Sequence, residues 1–143
     1  MTYNQMLNEV QAILQSHKIL KEVRYATPSD WLNWDSIPQT PVACYSIDTG
    51  QYMDSYQRSF TINFWFLDKS GVDAEFDKDV TSDMHQIGSD IVNAMYLKSK
   101  PYSIDMPILW TAISEKYEDY LSGVMFSINV TTNGDYSYCD FPL

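Results

Sequence analysis

The sequence predicts an α+β fold: a single domain with a mainly antiparallel sheet, a long projecting β-hairpin and two helices packed on one face. Residues 55 to 67 alternate strictly, with Tyr56, Arg58, Phe60, Ile62, Phe64 and Phe66 on one side. Ser55, Gln57, Ser59, Thr61 and Asn63 lie on the other, which turns apolar only at Trp65 and Leu67. A period of two is the mark of a strand with one buried and one wet face. Two other stretches, near residues 2–17 and 77–98, repeat apolar residues at spacings of three and four, the mark of a helix. A further alternating run, Leu121 to Thr132, closes the pattern.

The first helix is expected over residues 2 to 17, where Met6, Leu7, Val10, Ile13, Leu14 and His17 form one stripe. Thr2 and Gln5 have capping-box spacing. Ile19 to Thr27 reads as a short strand with Val23 and Tyr25 on one face. Pro28 to Pro41 reads as a proline-bounded loop carrying Trp31 and Trp34, which suit either a core edge or a binding platform. Val42 to Asp48 reads as a strand, and Thr49-Gly50 offers turn chemistry. The run to Leu67 follows, so the two make a hairpin with a wide tip at residues 48–54. That tip is apolar, with Tyr52 and Met53 beside Tyr56. An unbroken strand from Ser55 to Leu67 would reach about 43 Å at roughly 3.3 Å per residue, so part of it is expected to project or to pair with another chain.

The second helix is expected from Asp73 or Asp77 to Lys98, with Val80, Met84, Ile87, Ile91, Ala94, Met95 and Leu97 inward. Gly88 within it costs about 1 kcal/mol relative to alanine, which points to a close approach to the sheet. Ser99 to Pro107 reads as a loop, and Ile108 to Ile113 and Leu121 to Thr132 as strands joined by a charged turn. In the last strand Val124, Phe126, Ile128 and Val130 face the core. Asn133-Gly134 marks a turn. The domain is thus assigned residues 1–134, and residues 135–143 an aromatic extension with Tyr136, Tyr138 and Phe141, read as a subunit contact.

The net charge of −10 over 143 residues is concentrated between residues 68 and 90, where seven acids face Lys69 and Lys78. This surface will not grip nucleic acid, which needs clustered Lys and Arg. It reads first as a solvated helix face that keeps the protein soluble, and it is also compatible with a wall past which DNA slides. Mean hydropathy is −0.30, and no apolar run approaches the roughly 18 residues of a membrane helix. The first ten residues, MTYNQMLNEV, lack the basic and apolar regions of a secretory leader. The expectation is a protein made and used inside a cell, or one that leaves in a larger particle.

Nothing in the sequence marks a catalytic, cofactor or metal site. Cys44 lies in an apolar run and reads as a small buried residue, while Cys139 is in the tail. His17 and His85 fall on helices without partners at metal-ligand spacing. Neither a Gly-x-Ser-x-Gly elbow nor a glycine-rich phosphate loop occurs. The expectation is a protein that is not an enzyme.

The string from Ser114 to Val124, leading into Met125 to Val130, resembles the last hairpin of tailed-bacteriophage tail-terminator and tail-completion proteins, a family of head–tail connector rings. These often run Glu-x-x-x-Asp-x-Leu-x-Gly into an apolar final strand. Glu115, Asp119, Leu121 and Gly123 stand in those places. The helix, hairpin and acidic helix that precede them are similar in order, whereas the tryptophan loop and residues 135–143 lie outside the family pattern. The resemblance implies a virion protein of the neck or tail, assembled in the host cytoplasm. It implies a homo-oligomeric ring, a hexamer or dodecamer, that touches portal, connector or tail-tube proteins and lets DNA pass without specific binding. The apolar hairpin tip (Tyr52, Met53, Tyr56, with Arg58), Trp31, Trp34 and the aromatic tail are then the expected subunit contacts. Two rival readings stand beside it: a monomeric carbohydrate- or peptide-binding module using Trp31 and Trp34, and a small α+β enzyme or ligand carrier with a closed pocket.

Overall fold

The structure is a computed structural model that describes residues 3–28, 39–52, 57–69, 77–97, 102–113 and 121–133. Helices α1 (Tyr3–Gln15) and α2 (Asp77–Leu97) pack on one face of a sheet built from β1 (Glu22–Tyr25), β2 (Val42–Tyr52), β3 (Gln57–Lys69), β4 (Tyr102–Ile113) and β5 (Leu121–Asn133). The strand order is β1-β2-β3-β5-β4, and every pairing is antiparallel except β1 with β2. This is the α+β domain that the periodicities predict.

The stripe spacing of each helix meets the alternation of the strands. Met6, Val10, Ile13 and Leu14 of α1 are buried, as are Met84, Ile87, Ile91 and Met95 of α2. They close over Tyr45 of β2, Phe64 and Phe66 of β3, and Phe126 and Ile128 of β5. Removing that much apolar surface from water, at about 25 cal/mol per Å², holds the layers together. Phe64 stacks on Tyr45 and Phe66, and Phe66 meets Phe126 edge-on at 5.9 Å. Tyr45 also reaches α1, where its hydroxyl donates to Gln11 Oε1.

At Gly88 the backbone of α2 packs directly against the Phe126 ring of β5. A Cβ there would lie 2.1 Å from Cε2 of Phe126, so only a glycine lets helix and ring meet. The close approach read from the sequence is present.

A smaller cluster lies on the opposite face, at one end of the sheet: Val42, Cys44, Trp65, Leu67, Ile113 and Leu121. It accounts for the switch of β3's outer side from polar to apolar at Trp65. Burial pushes the Cys44 thiol up to about 12, with Glu22 adding to the rise and Arg24 opposing it, and the thiol is free.

The helices are clasped beyond the core. Ile19 N–H donates to His17 Nδ1 at 3.3 Å, so the imidazole hydrogen sits on Nε2, which donates to Asp90 Oδ2 at 3.0 Å. His17 thus ties the end of α1 to α2, and its hydrogen bond holds the Asp90 carboxyl below the usual range.

Several boundaries differ from expectation. β2 runs on through Thr49-Gly50 to Tyr52, because a bulge between Ile47 and Thr49 absorbs the irregularity within the strand. The wide tip expected at residues 48–54 is therefore replaced by pairing as far as Tyr52 with Arg58. β4 starts at Tyr102, inside the expected loop, and accommodates Pro107 in a register shift between Asp105 and Leu109. A proline, lacking an N–H, is tolerated in an edge strand at such a point. β1 covers only the middle of Ile19–Thr27, with Lys21 N donating to Pro41 O and Ala26 N to Tyr45 O on either side.

The length of β3 is also resolved differently. β5 pairs with it from Gln57↔Asn133 to Lys69↔Leu121, so the strand finds its second neighbour inside the chain and needs no partner for it. The β4–β5 hairpin matches the β2–β3 hairpin in length. Residues 53–56, the hairpin tip, lie outside the described residues.

Candidate functional site

Two surfaces stand out on this frame: an exposed edge and a polar trough. The edge is β4. Among the described residues no strand pairs with its outer side. Leu109 is 67% exposed, Met106 61% and Trp110 52%. Trp110 pairs across from Phe126 and so lies on the helix side, where His85 meets its ring edge-on at 4.7 Å. Leu109 pairs with Ser127 and lies on the other side. From Met106 to Ile113 no side chain carries charge, in a chain of net −10. An uncovered edge with apolar side chains on both sides is a template for pairing with another chain.

The trough lies on the face opposite α1 and α2. Register places Thr49 of β2, Thr61 of β3, Asn129 of β5 and Asp105 of β4 in one row across four strands. The next row holds Gln51, Ser59, Thr131 and Ser103. The bulge of β2 and the register shift of β4 both adjoin the first row, one on each flank. Bulges bend and twist strands. The result is a trough of about 430 Å³ lined by Thr49, Gly50, Gln51, Ser59, Thr61, Asp105 and Asn129. Its side chains are held by lateral bonds: Thr61 Oγ1 donates to Asn129 Oδ1 at 2.7 Å, and Thr131 Oγ1 to Asp105 Oδ2 at 2.8 Å.

The residues singled out in the sequence fall elsewhere. Arg58 is half-buried on the helix side of β3, opposite Tyr52 and Thr132. Tyr52 ends β2. Leu121 and Gly123 of the family-like string have structural work: Leu121 is fully buried in the smaller cluster. At Gly123 a Cβ would lie 1.9 Å from the Phe66 carbonyl oxygen, so β3 and β5 can pair there only around a glycine. Trp31, Trp34, Met53, Tyr56, Glu115, Asp119, Tyr136, Tyr138 and Phe141 lie outside the described residues.

Sequence reasoning missed both surfaces. The uncharged run from Met106 to Ile113 was a signal for the edge. The trough had none, because only strand register brings its residues into a row.

A thiol with the pKa of Cys44 is not a thiolate near neutrality. Among the described residues no group of three or more His, Cys, Asp or Glu side chains is placed to hold a metal ion, and no helix is long and apolar enough to cross a membrane. No protein-family model matches the chain, and no curated protein sequence matches it.

Proposed function

We propose that the protein is a non-enzymatic structural component of a tailed-phage virion, a subunit of a ring at the neck or tail that joins portal to tail and lets DNA pass. The observation that carries the assembly part is the β4 edge. Its exposed apolar side chains and the absence of charge from Met106 to Ile113 make it the place where a second acidic copy approaches with least repulsion. A heterologous contact of this kind, repeated around an axis, closes a ring. The virion part rests on the resemblance at Glu115, Asp119, Leu121 and Gly123. In this reading the tail terminator, tail-completion and connector roles share one domain, and the neighbours are portal, connector or tail-tube proteins. The acidic surface of α2, with Asp79 and Asp83 exposed, would repel rather than hold DNA.

The test is mass and shape in solution, by light scattering with negative-stain imaging, over a concentration series with and without particle extract. Rings or incorporation into particles are the expected result. Leu109→Lys combined with Trp110→Lys should abolish either one while leaving circular dichroism and monomer mass unchanged, since both side chains are exposed. A compact monomer that neither assembles nor incorporates would overturn the reading in favour of a monomeric binding module.

A further inference from the structure

We propose that the trough on the face opposite the two helices binds a neutral polyhydroxylated ligand, a short oligosaccharide. The site is separate from the β4 edge contact and does not depend on the ring reading. Among the described residues its lining is made of hydroxyls, amides and one carboxylate, with no Lys or Arg. In a chain of net −10 that excludes phosphates and other anions as favoured ligands. The scarcity of apolar side chains among these described residues disfavours an oily ligand, since burying these polar groups against hydrocarbon would leave them unpaired.

What remains is a ligand that both donates and accepts, and the lateral bonds prepare the trough for one. Thr61 gives its hydrogen to Asn129 and so presents oxygen lone pairs outward. Asn129, with its oxygen engaged, offers its amide N–H groups. Asp105 takes the Thr131 hydroxyl on Oδ2 and keeps Oδ1 as an acceptor. Fixed donors and acceptors alternating along one row match the adjacent hydroxyls of a sugar ring, each of which donates one bond and accepts others. A sheet holds such a row more rigidly than a loop does, so little side-chain freedom is lost on binding. The volume of about 430 Å³ is within the range of small-ligand sites.

The experiment is a nitrogen-15 NMR titration of the whole chain with neutral di- and trisaccharides of glucose, galactose, mannose and N-acetylglucosamine, each at about 10 mM, tenfold above a millimolar Kd. The expected result is amide shifts centred on Thr49, Thr61, Asp105 and Asn129 with at least one sugar, and none with inorganic phosphate. Thr61→Val and Asn129→Val, both at solvent-facing positions, should each weaken binding about tenfold while the rest of the spectrum stays in place. Asp105→Asn, which keeps an accepting oxygen, should weaken it less than Asp105→Leu. No shift with any sugar, shifts centred outside the trough, or valine variants that bind as well as the parent would each overturn the proposal. A chain that forms no rings would leave it standing.

Discussion

Replacing Gly88 by alanine sets helix propensity against packing, and the structure decides the sign. On an exposed helix the change would stabilise by about 1 kcal/mol. Here the new methyl would sit 2.1, 2.7 and 2.9 Å from Cε2, Cζ and Cδ2 of Phe126. The ring has little room to retreat, since Phe66 meets it at 5.9 Å and His85 lies 5.7 Å away. Overpacking costs about 1–3 kcal/mol, and three ring atoms closer than 3 Å put this case in the upper part, about 2–3 kcal/mol, so Gly88→Ala should destabilise by about 1–2 kcal/mol net of the propensity gain. At about 2–4 °C per kcal/mol for a chain near this size, Tm should drop by about 2–8 °C. Denaturant and thermal unfolding followed by circular dichroism read this directly. Phe126→Leu removes the ring, and in that background alanine at position 88 should cost nothing or stabilise. The double-mutant cycle should therefore show a coupling of about 1 kcal/mol or more. A Gly88→Ala protein more stable than its parent, or the absence of coupling, would refute the contact.

Gly123→Ala should be worse, because the atom in the way is the Phe66 carbonyl oxygen at 1.9 Å and backbone cannot swing aside as a side chain can. A loss of about 3 kcal/mol or more is expected, and a loss under about 1 kcal/mol would contradict the register of β3 and β5. In a Cys139→Ser background, Cys44 should resist iodoacetamide at pH 8 in the folded protein and react fully in denaturant, since burial pushes its pKa up to about 12. Labelling at equal rates in both states would contradict that burial. Because the bond from His17 depresses the Asp90 pKa below 3.8, its stabilisation is complete above that value and fades as pH falls through the folded pKa. The stability difference between the parent and His17→Ala, measured by urea unfolding, should shrink below about pH 4. A difference that stays constant between pH 5 and pH 2 would rule out the link.

Side-chain periodicity made the elements readable and pairing partly hid them. The alternation in β3 and β5 sorts inward from outward residues correctly because one face is buried along most of each strand. The polar-to-apolar switch at Trp65 and Leu67 was visible in the sequence, but only the structure shows the second cluster that explains it. Gly88 was legible because a glycine in a helix interior needs a reason. The ends of β2 and β4 were not legible, because Thr49, Gly50 and Pro107 are turn formers by local preference. Ladder hydrogen bonds and bulges override that preference at both places. The trough was the least legible feature: Thr, Ser and Asn on a wet face look like ordinary solvation until strand order places them side by side.

Strand order also divides the molecule in a way that bears on how it folds. Among the described residues, those up to Lys69 form one helix with β1, β2 and β3, and those from Asp77 form one helix with β4 and β5. Each half can close its own long hairpin quickly from neighbours along the chain, yet neither half can bury its aromatic face alone. The seam between them is the β3–β5 ladder, whose partners are distant in sequence, from Lys69 with Leu121 to Gln57 with Asn133. Loop closure across that span is the slow, non-local step in assembling the sheet. A chain cut between residues 69 and 77 should therefore behave as two complementary fragments that recombine along this seam, as an obligate heterodimer does. The stability of the whole would then depend on fragment concentration, and the seam would set the rate at which the native sheet appears.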